Sequence, residues 1–292
     1  MTSREFPRHI LFATDFSARC DRAQDRAIQL ALQWRAKLTV LFAFEADAVS
    51  ASQTTAHASL PRTISYAACR LEEELSGIDT LQSNVEIRHG AAYEVIAGFV
   101  AEMSPDIVVT GISSNDKLGR SILGSTTTSL LRMVVVPVLA VKKKPIDSGA
   151  RVLVASDLSE GSADALRTAI EYFDPETITL FLALDPPFRT WTNDTGVYER
   201  SFETESLKRA RDFLDKAIAK HQSIEPVIVA EVGDPSELVA RYAMDHDIDI
   251  VVTGTEGRGG LLNVLVESVA SGIMWEAPCD VFVVPQKRRT SV

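Results

Sequence analysis

The stretch PDIVVTG (Pro105–Gly111) recurs as IDIVVTG (Ile248–Gly254), 143 positions later (254 − 111). A short run of Ile and Val closed by glycine predicts a strand buried on both faces, and its recurrence predicts two copies of one fold. The same displacement joins Gly90 to Gly233, Glu94 to Glu237 and Ser125 to Ser268 without a gap. Nearer the start, FATDFS (Phe12–Ser17) recurs as VASDLS (Val154–Ser159), displaced by 142 (159 − 17). The chain therefore reads as a tandem duplication. KKKPIDSGA (Lys142–Ala150) is charged, holds Pro and Gly and lacks an apolar period, which marks a linker. The domains expected are residues 1–145 and 146–292.

Each half alternates strand and helix patterns. HILFAT (His9–Thr14) is followed by helical spacing at Ala23, Ala27, Leu30 and Ala31, predicting a helix through Trp34 with Ser17 as its cap. LTVLFAF (Leu38–Phe44) is a second strand. After a loop over Ala46–Pro61 comes a helix carrying Ile64, Ala67, Ala68, Leu71 and Leu75. Asn84–Gly90, Asp106–Gly111 and Val136–Val141 complete the strands, with helices over Glu94–Met103 and from about Ser125. The second half follows suit, with a corresponding long loop at Asp185–Tyr198. Apolar strands alternating with helices predict a parallel sheet covered on both sides, so each domain is expected to be a doubly wound α/β layer.

Composition narrows the function. The 292 residues hold 46% apolar and 24% charged side chains, near the average for globular chains. Thirty basic against 40 acidic residues give a net charge of −10, which disfavours nucleic acid and anionic membrane surfaces as partners. Cys20, Cys69 and Cys279 are scattered, suggesting neither a zinc site nor a disulfide framework. The start MTSREFPRHI has no apolar signal core, and the run Met133–Val141 is short and broken by Pro137. The expectation is a cytoplasmic protein. The five histidines do not recur between the copies at a strand end, so no catalytic residue is assigned.

Open α/β sheets bind ligands beyond the carboxyl ends of the strands, where the strand order reverses. The loop after the first strand offers Thr14, Asp15 and Ser17. The loop after the fourth, Gly111–Ser129, holds Lys117, Arg120 and then Gly124, Ser125, Thr126 and Thr127 opening a helix. Free N–H groups, a positive helix end and small hydroxyls make a phosphate cradle. Neither a Walker A loop nor GxGxxG occurs.

These residues resemble the universal stress protein family, whose nucleotide-binding members carry an Asp after strand one. After strand four they carry Gly, two residues, Gly, nine residues, Gly and then Ser or Thr. Gly111, Ser114, Gly124 and Ser125 fall on that spacing, with Ser in the second glycine's place. Gly254, Gly257, Glu267 and Ser268 fall on it in the second copy, with Glu in the third's place. The resemblance spans almost the whole chain. It implies five strands per domain in the order 3-2-1-4-5 and ATP, alone or with Mg, across the ends of strands one and four. On that motif Thr14, Asp15 and Ala43 would line the base and ribose, and Gly111, Ser113, Ser114, Gly124, Ser125, Thr126 and Thr127 the phosphates. Asp157, Gly254, Gly257 and Ser268 are the second-domain equivalents. The resemblance further implies pairing of the two domains through their fifth strands, with a homodimer as a further assembly.

Each site residue also has a plain structural role open to it. Asp15 and Asp157 suit a capping position, Gly111 and Gly254 a sharp turn, and Gly124–Thr127 a helix start. Three functions remain: an ATP-binding stress-response regulator whose first domain is the competent one, a protein-interaction module without nucleotide, and a weak ATPase. Glu267 sets a carboxylate where phosphate would lie, and Glu256 adds a second charge nearby, so the second copy reads as degenerate.

Overall fold

The computed structural model describes residues 6–44, 60–112, 114–115, 121–122, 129–131, 133–145, 149–175, 177–185, 195–219, 224–255 and 266–286. The chain forms two compact units, Glu5–Pro145 and Ile146–Val292. In the first unit the elements are β1 (His9–Thr14), α1 (Asp21–Trp34), β2 (Lys37–Phe44), α2 (Leu60–Ser76), β3 (Gln82–His89), α3 (Ala92–Met103) and β4 (Ile107–Gly111). A two-residue antiparallel ribbon, β5 (Ser114–Asn115) with β6 (Ser121–Ile122), and β7 (Val138–Val141) follow. Residues 129–131 are helical.

The main strands pair in parallel in the order β3-β2-β1-β4-β7. This is the expected 3-2-1-4-5 arrangement. Its reversal point lies between β1 and β4, where Ala13 stands opposite Thr110. The strands form because Val, Ile and Leu suit a pleat that is covered on both sides: Ile10, Leu11, Phe12, Ile107, Val108 and Val109 are fully buried. Leu11, Ala13, Leu41 and Val108 meet Ile96, Phe99 and Val100 of α3, together with Leu130 and Val134. Helix α1 packs across β1, β2, β4 and β7, and α2 packs against β3.

The second unit repeats this plan with β8 (Arg151–Ala155), α4 (Glu160–Phe173), β9 (Thr177–Leu184), α5 (Thr195–Ala217), β10 (Val227–Val232), α6 (Pro235–Asp245), β11 (Ile250–Gly254), α7 (Val266–Glu276) and β12 (Asp280–Val284). Its strands run parallel in the order β10-β9-β8-β11-β12. Phe181 and Phe282 are among its largest fully buried side chains, each contributing about 1.5–3 kcal/mol through burial.

Several elements start elsewhere than expected. Helix α1 starts at Asp21 rather than after Ser17, because Cys20 N–H donates to the Ser17 carbonyl at 2.9 Å and closes a 3₁₀ turn over Ala18–Cys20. In the second unit the equivalent Ser159 does cap: its hydroxyl accepts from Ser162 N–H at 3.2 Å, so α4 begins at Glu160. Strand β7 starts at Val138, not Val136. Pro137 has no N–H for the ladder, although its carbonyl accepts from Val108 at 2.9 Å. Helices α2 and α5 begin at Leu60 and Thr195, inside stretches expected to be loop.

At the opposite end of the first sheet His9 Nε2 lies 2.9 Å from Thr39 Oγ1, which donates to Asn84 Oδ1. Burial, joined by the charge of Lys37, holds the imidazole below its ordinary 6.5 against the pull of Asp106. A base depressed in this way is neutral when folded and gains a proton on unfolding, so its contribution to stability is complete above 6.5 and shrinks as pH falls. NMR titration should therefore place the His9 midpoint below 6.5. Thermal unfolding should lose less between pH 6.5 and about 5 in His9→Gln than in the native chain. A midpoint at or above the ordinary value would contradict this.

Candidate functional site

Of the residues singled out after strands one and four, Thr14, Asp15 and Gly111 meet at the reversal point. Thr14 ends β1 beside Gly111 at the end of β4, since the preceding residues Ala13 and Thr110 are partners. On the other flank Thr14 pairs with Phe42, one residue before Ala43. Thr14, Asp15, Ala43 and Gly111 thus share one edge of the sheet, at the carboxyl ends of β1, β2 and β4.

The turn leaving β1 is a compact hydrogen-bonded device. Phe16 N–H donates to Thr14 Oγ1 at 3.0 Å, and Ser17 N–H donates to Asp15 Oδ1 at 2.8 Å. Cys20 Sγ donates to the same Asp15 oxygen at 3.2 Å. Burial pushes the Asp15 carboxyl up, but the nearby hydroxyl and amide of Ser17 and the Cys20 thiol outweigh it and hold it below its ordinary value. Asp15 is thus a carboxylate at neutral pH. The second unit builds the same turn: Leu158 N–H donates to Ser156 Oγ at 3.0 Å, and Ser159 N–H to Asp157 Oδ1 at 3.0 Å. Phe16 and Leu158 adopt left-handed φ values of 56° and 63°. Such a conformation is uncommon for side chains of this size and costs of order 1–3 kcal/mol, which the two side-chain caps offset.

The turn role of Asp15 is met through one of its two carboxylate oxygens. Its Oδ1 is used by the turn, while Oδ2 has no partner among the described residues. Gly111 and Gly254 are glycine for a different reason from the sharp turn expected of them. A Cβ on Gly111 would stand 3.3 Å from the Arg19 carbonyl oxygen, and one on Gly254 3.1 Å from the Gly161 carbonyl oxygen. The segment leaving the first strand of each unit crosses these glycines closely.

Two features of this edge were not legible as site features. Phe16 stacks on Phe42 with centroids 4.6 Å apart, Phe42 lies 6.4 Å from Phe44 at 12°, and Phe44 meets His89 edge-on at 5.3 Å. The repeat displacement places Leu158 at the position of Phe16, and strand register places Leu182, Leu184 and Val232 at the positions of Phe42, Phe44 and His89, so the aromatic row belongs to the first unit alone. Cys20, read from sequence only as a scattered cysteine, sits against both Asp15 and Gly111. Comparing DFSARC with DLSEGS would have shown a donor five residues after Asp in each copy.

Ser114 lies in the short ribbon that follows β4. Residues Ser113, Gly124, Ser125, Thr126, Thr127 and Gly257 lie outside the described residues. Glu267 and Ser268 fall in the first turn of α7. Among the described residues no helix is long and apolar enough to cross a membrane.

The family model described as the universal stress protein family matches residues 7–142 and again 150–285. The chain belongs to the universal stress protein family. Universal stress protein E of Salmonella typhi is 28% identical over 221 residues, covering 70% of this chain and 69% of that relative. A universal stress protein of Synechocystis is 34% identical over 88 residues, 30% of this chain and 78% of its own length. Among solved structures, a universal stress protein of Archaeoglobus fulgidus aligns with TM-score 0.66 at 18% identity, over 98% of this chain and 100% of its own. A further universal stress protein, from Pseudomonas aeruginosa, gives 0.63 at 18% identity, over 97% of this chain and 94% of its own. At that identity these structures establish the shared fold.

Proposed function

We propose that the protein is an ATP-binding stress-response regulator whose first unit is the competent nucleotide site. The observation that carries this is the convergence of Thr14, Asp15, Ala43 and Gly111 at the reversal point of a parallel sheet, where such folds take ligands. An ionised carboxylate and a hydroxyl suit the sugar hydroxyls of a nucleoside. The Phe16–Phe42–Phe44 row gives the base end of the first unit flat apolar surface that the aliphatic second unit lacks. Ser113, Ser114 and Gly124–Thr127 would meet the phosphates by peptide N–H and hydroxyl groups, alone or with Mg, on the family spacing. Occupancy shifts a conformation or an assembly of the chain. Pairing of the units through their fifth strands, pairing of two chains, and a cytoplasmic location belong to the same proposal.

Asp15→Ala should weaken ATP binding by about 1–3 kcal/mol, the cost of losing a hydrogen bond to a charged group. Titration calorimetry on the native and variant chains reads this directly, with circular dichroism to confirm folding. Unchanged affinity in a folded variant would reduce Asp15 to a turn cap. Absence of ATP binding in the native chain would favour the protein-interaction module.

A further inference from the structure

Asp15 and Asp157 are each gripped by a side chain five residues downstream. Cys20 Sγ donates to Asp15 Oδ1 at 3.2 Å, and Ser162 Oγ donates to Asp157 Oδ1 at 2.7 Å. Positions 20 and 162 are equivalent, because they keep the displacement of the two aspartates (162 − 20 = 157 − 15 = 142). The contact is therefore made twice in one molecule, by a thiol in one copy and a hydroxyl in the other.

The same position meets the other side of the crevice. A Cβ on Gly111 would lie 3.5 Å from both Cys20 Cα and Cys20 Sγ, and one on Gly254 3.6 Å from Ser162 N. Cys20 thus touches the loop after β1 and the end of β4 together, and these two edges define the reversal point. It is half-buried, and burial pushes its thiol up, with the neighbouring carboxylate adding to the rise, so it remains a neutral donor at physiological pH.

We propose that Cys20 is a positioning residue for the nucleotide site of the first unit: its thiol holds Asp15 Oδ1, directs Oδ2 outward to the ligand, and spaces the strand-one loop from Gly111. This rests on the nucleotide assignment of the preceding subsection. Cys20 itself touches no ligand. A thiol is a weaker donor than a hydroxyl, so serine, the residue that the second unit already uses, should replace it without loss. Alanine removes the contact and leaves Asp15 Oδ1 held by the Ser17 N–H alone, which loosens the carboxylate.

Two measurements on the full chain test this. The first needs no nucleotide: alkylation of Cys20 by iodoacetamide, followed by peptide mass spectrometry in a Cys69→Ser background that removes the exposed thiol. Asp15→Asn should speed that alkylation severalfold, because losing the adjacent negative charge favours the thiolate. An unchanged rate would overturn the coupling. The second is ATP affinity: Cys20→Ala should raise Kd about fivefold, the loss of one hydrogen bond of roughly 1 kcal/mol. Cys20→Ser should keep the native value, and Cys20→Ala should add nothing in an Asp15→Ala background. A Cys20→Ala chain that binds like the native one overturns the positioning role alone, and an additive effect in the double variant shows that Cys20 acts by another route. A native chain that binds no ATP overturns the nucleotide assignment itself, with the alkylation arm still deciding whether the two side chains are coupled.

Discussion

Gly124→Glu should abolish ATP binding by the first unit. The substitution places there the carboxylate that the second copy carries as Glu267 at the matching motif position. Glu267 lies in the first turn of α7 (Val266–Glu276), where an acidic side chain favours the helix by facing its positive end. A carboxylate in that place repels a phosphate drawn to the same helix end. Two unit charges about 4 Å apart at an effective dielectric near 20 repel by about 4 kcal/mol, roughly a thousandfold in affinity. The converse change, Glu267→Gly, should restore part of the second site while costing the helix a few tenths of a kcal/mol or more. Titration calorimetry on the native chain should accordingly find one ATP per chain. Two equivalent sites would mean that Glu267 does not oppose the ligand, and full binding by Gly124→Glu would remove the phosphate role of that loop.

Gly272→Ala should destabilise the second unit by about 1–3 kcal/mol, the usual cost of forcing an added carbon into a packed contact. Helices α6 and α7 pack against each other, and a Cβ on Gly272 would stand 2.3 Å from Ser236 Oγ and 3.1 Å from Ser236 Cβ. Ser236 is buried at the start of α6, where Asp234 accepts from its N–H at 2.9 Å. Rotating the hydroxyl away relieves only the first clash, and the second requires the two helices to give by a few tenths of an ångström. Differential scanning calorimetry should show the melting temperature falling by about 2–4 °C per kcal/mol. Ser236→Ala combined with Gly272→Ala should recover part of the loss, since one of the two clashing atoms is then gone. An unchanged melting temperature would show that the α6–α7 contact is not tight at this point.

Much of the fold was legible because its signals are local. Ile107–Gly111 and Ile250–Gly254 are strands in both units, as a short run of β-branched residues between helices requires for burial on both faces. Their repetition also announced two similar sheets. The order of strands within each sheet was not in those runs; it came with the family resemblance, because periodicity says which face is buried and not which strand lies alongside. Element ends were the weakest point, as at Ser17, where a backbone bond from Cys20 to the Ser17 carbonyl won over the side-chain cap that the equivalent Ser159 makes.

The amino-acid sequence by itself determined the duplication, the alternation of strands and helices, the glycine at each β4-type strand end and the unequal charge of the two loops that follow those strands. Each of these depends on residue identity at a fixed spacing along the chain. Only the tertiary structure decided that the Arg19 carbonyl crosses Gly111 so closely that a Cβ there would stand 3.3 Å from its oxygen. It also decided that Phe16 turns back onto Phe42 to begin a row of rings that the second unit lacks. And it decided that Cys20 grips Asp15 as Ser162 grips Asp157. These contacts arise where separate strands end side by side, and no period along the chain encodes which side chains the register and the crossing loops bring within hydrogen-bonding distance.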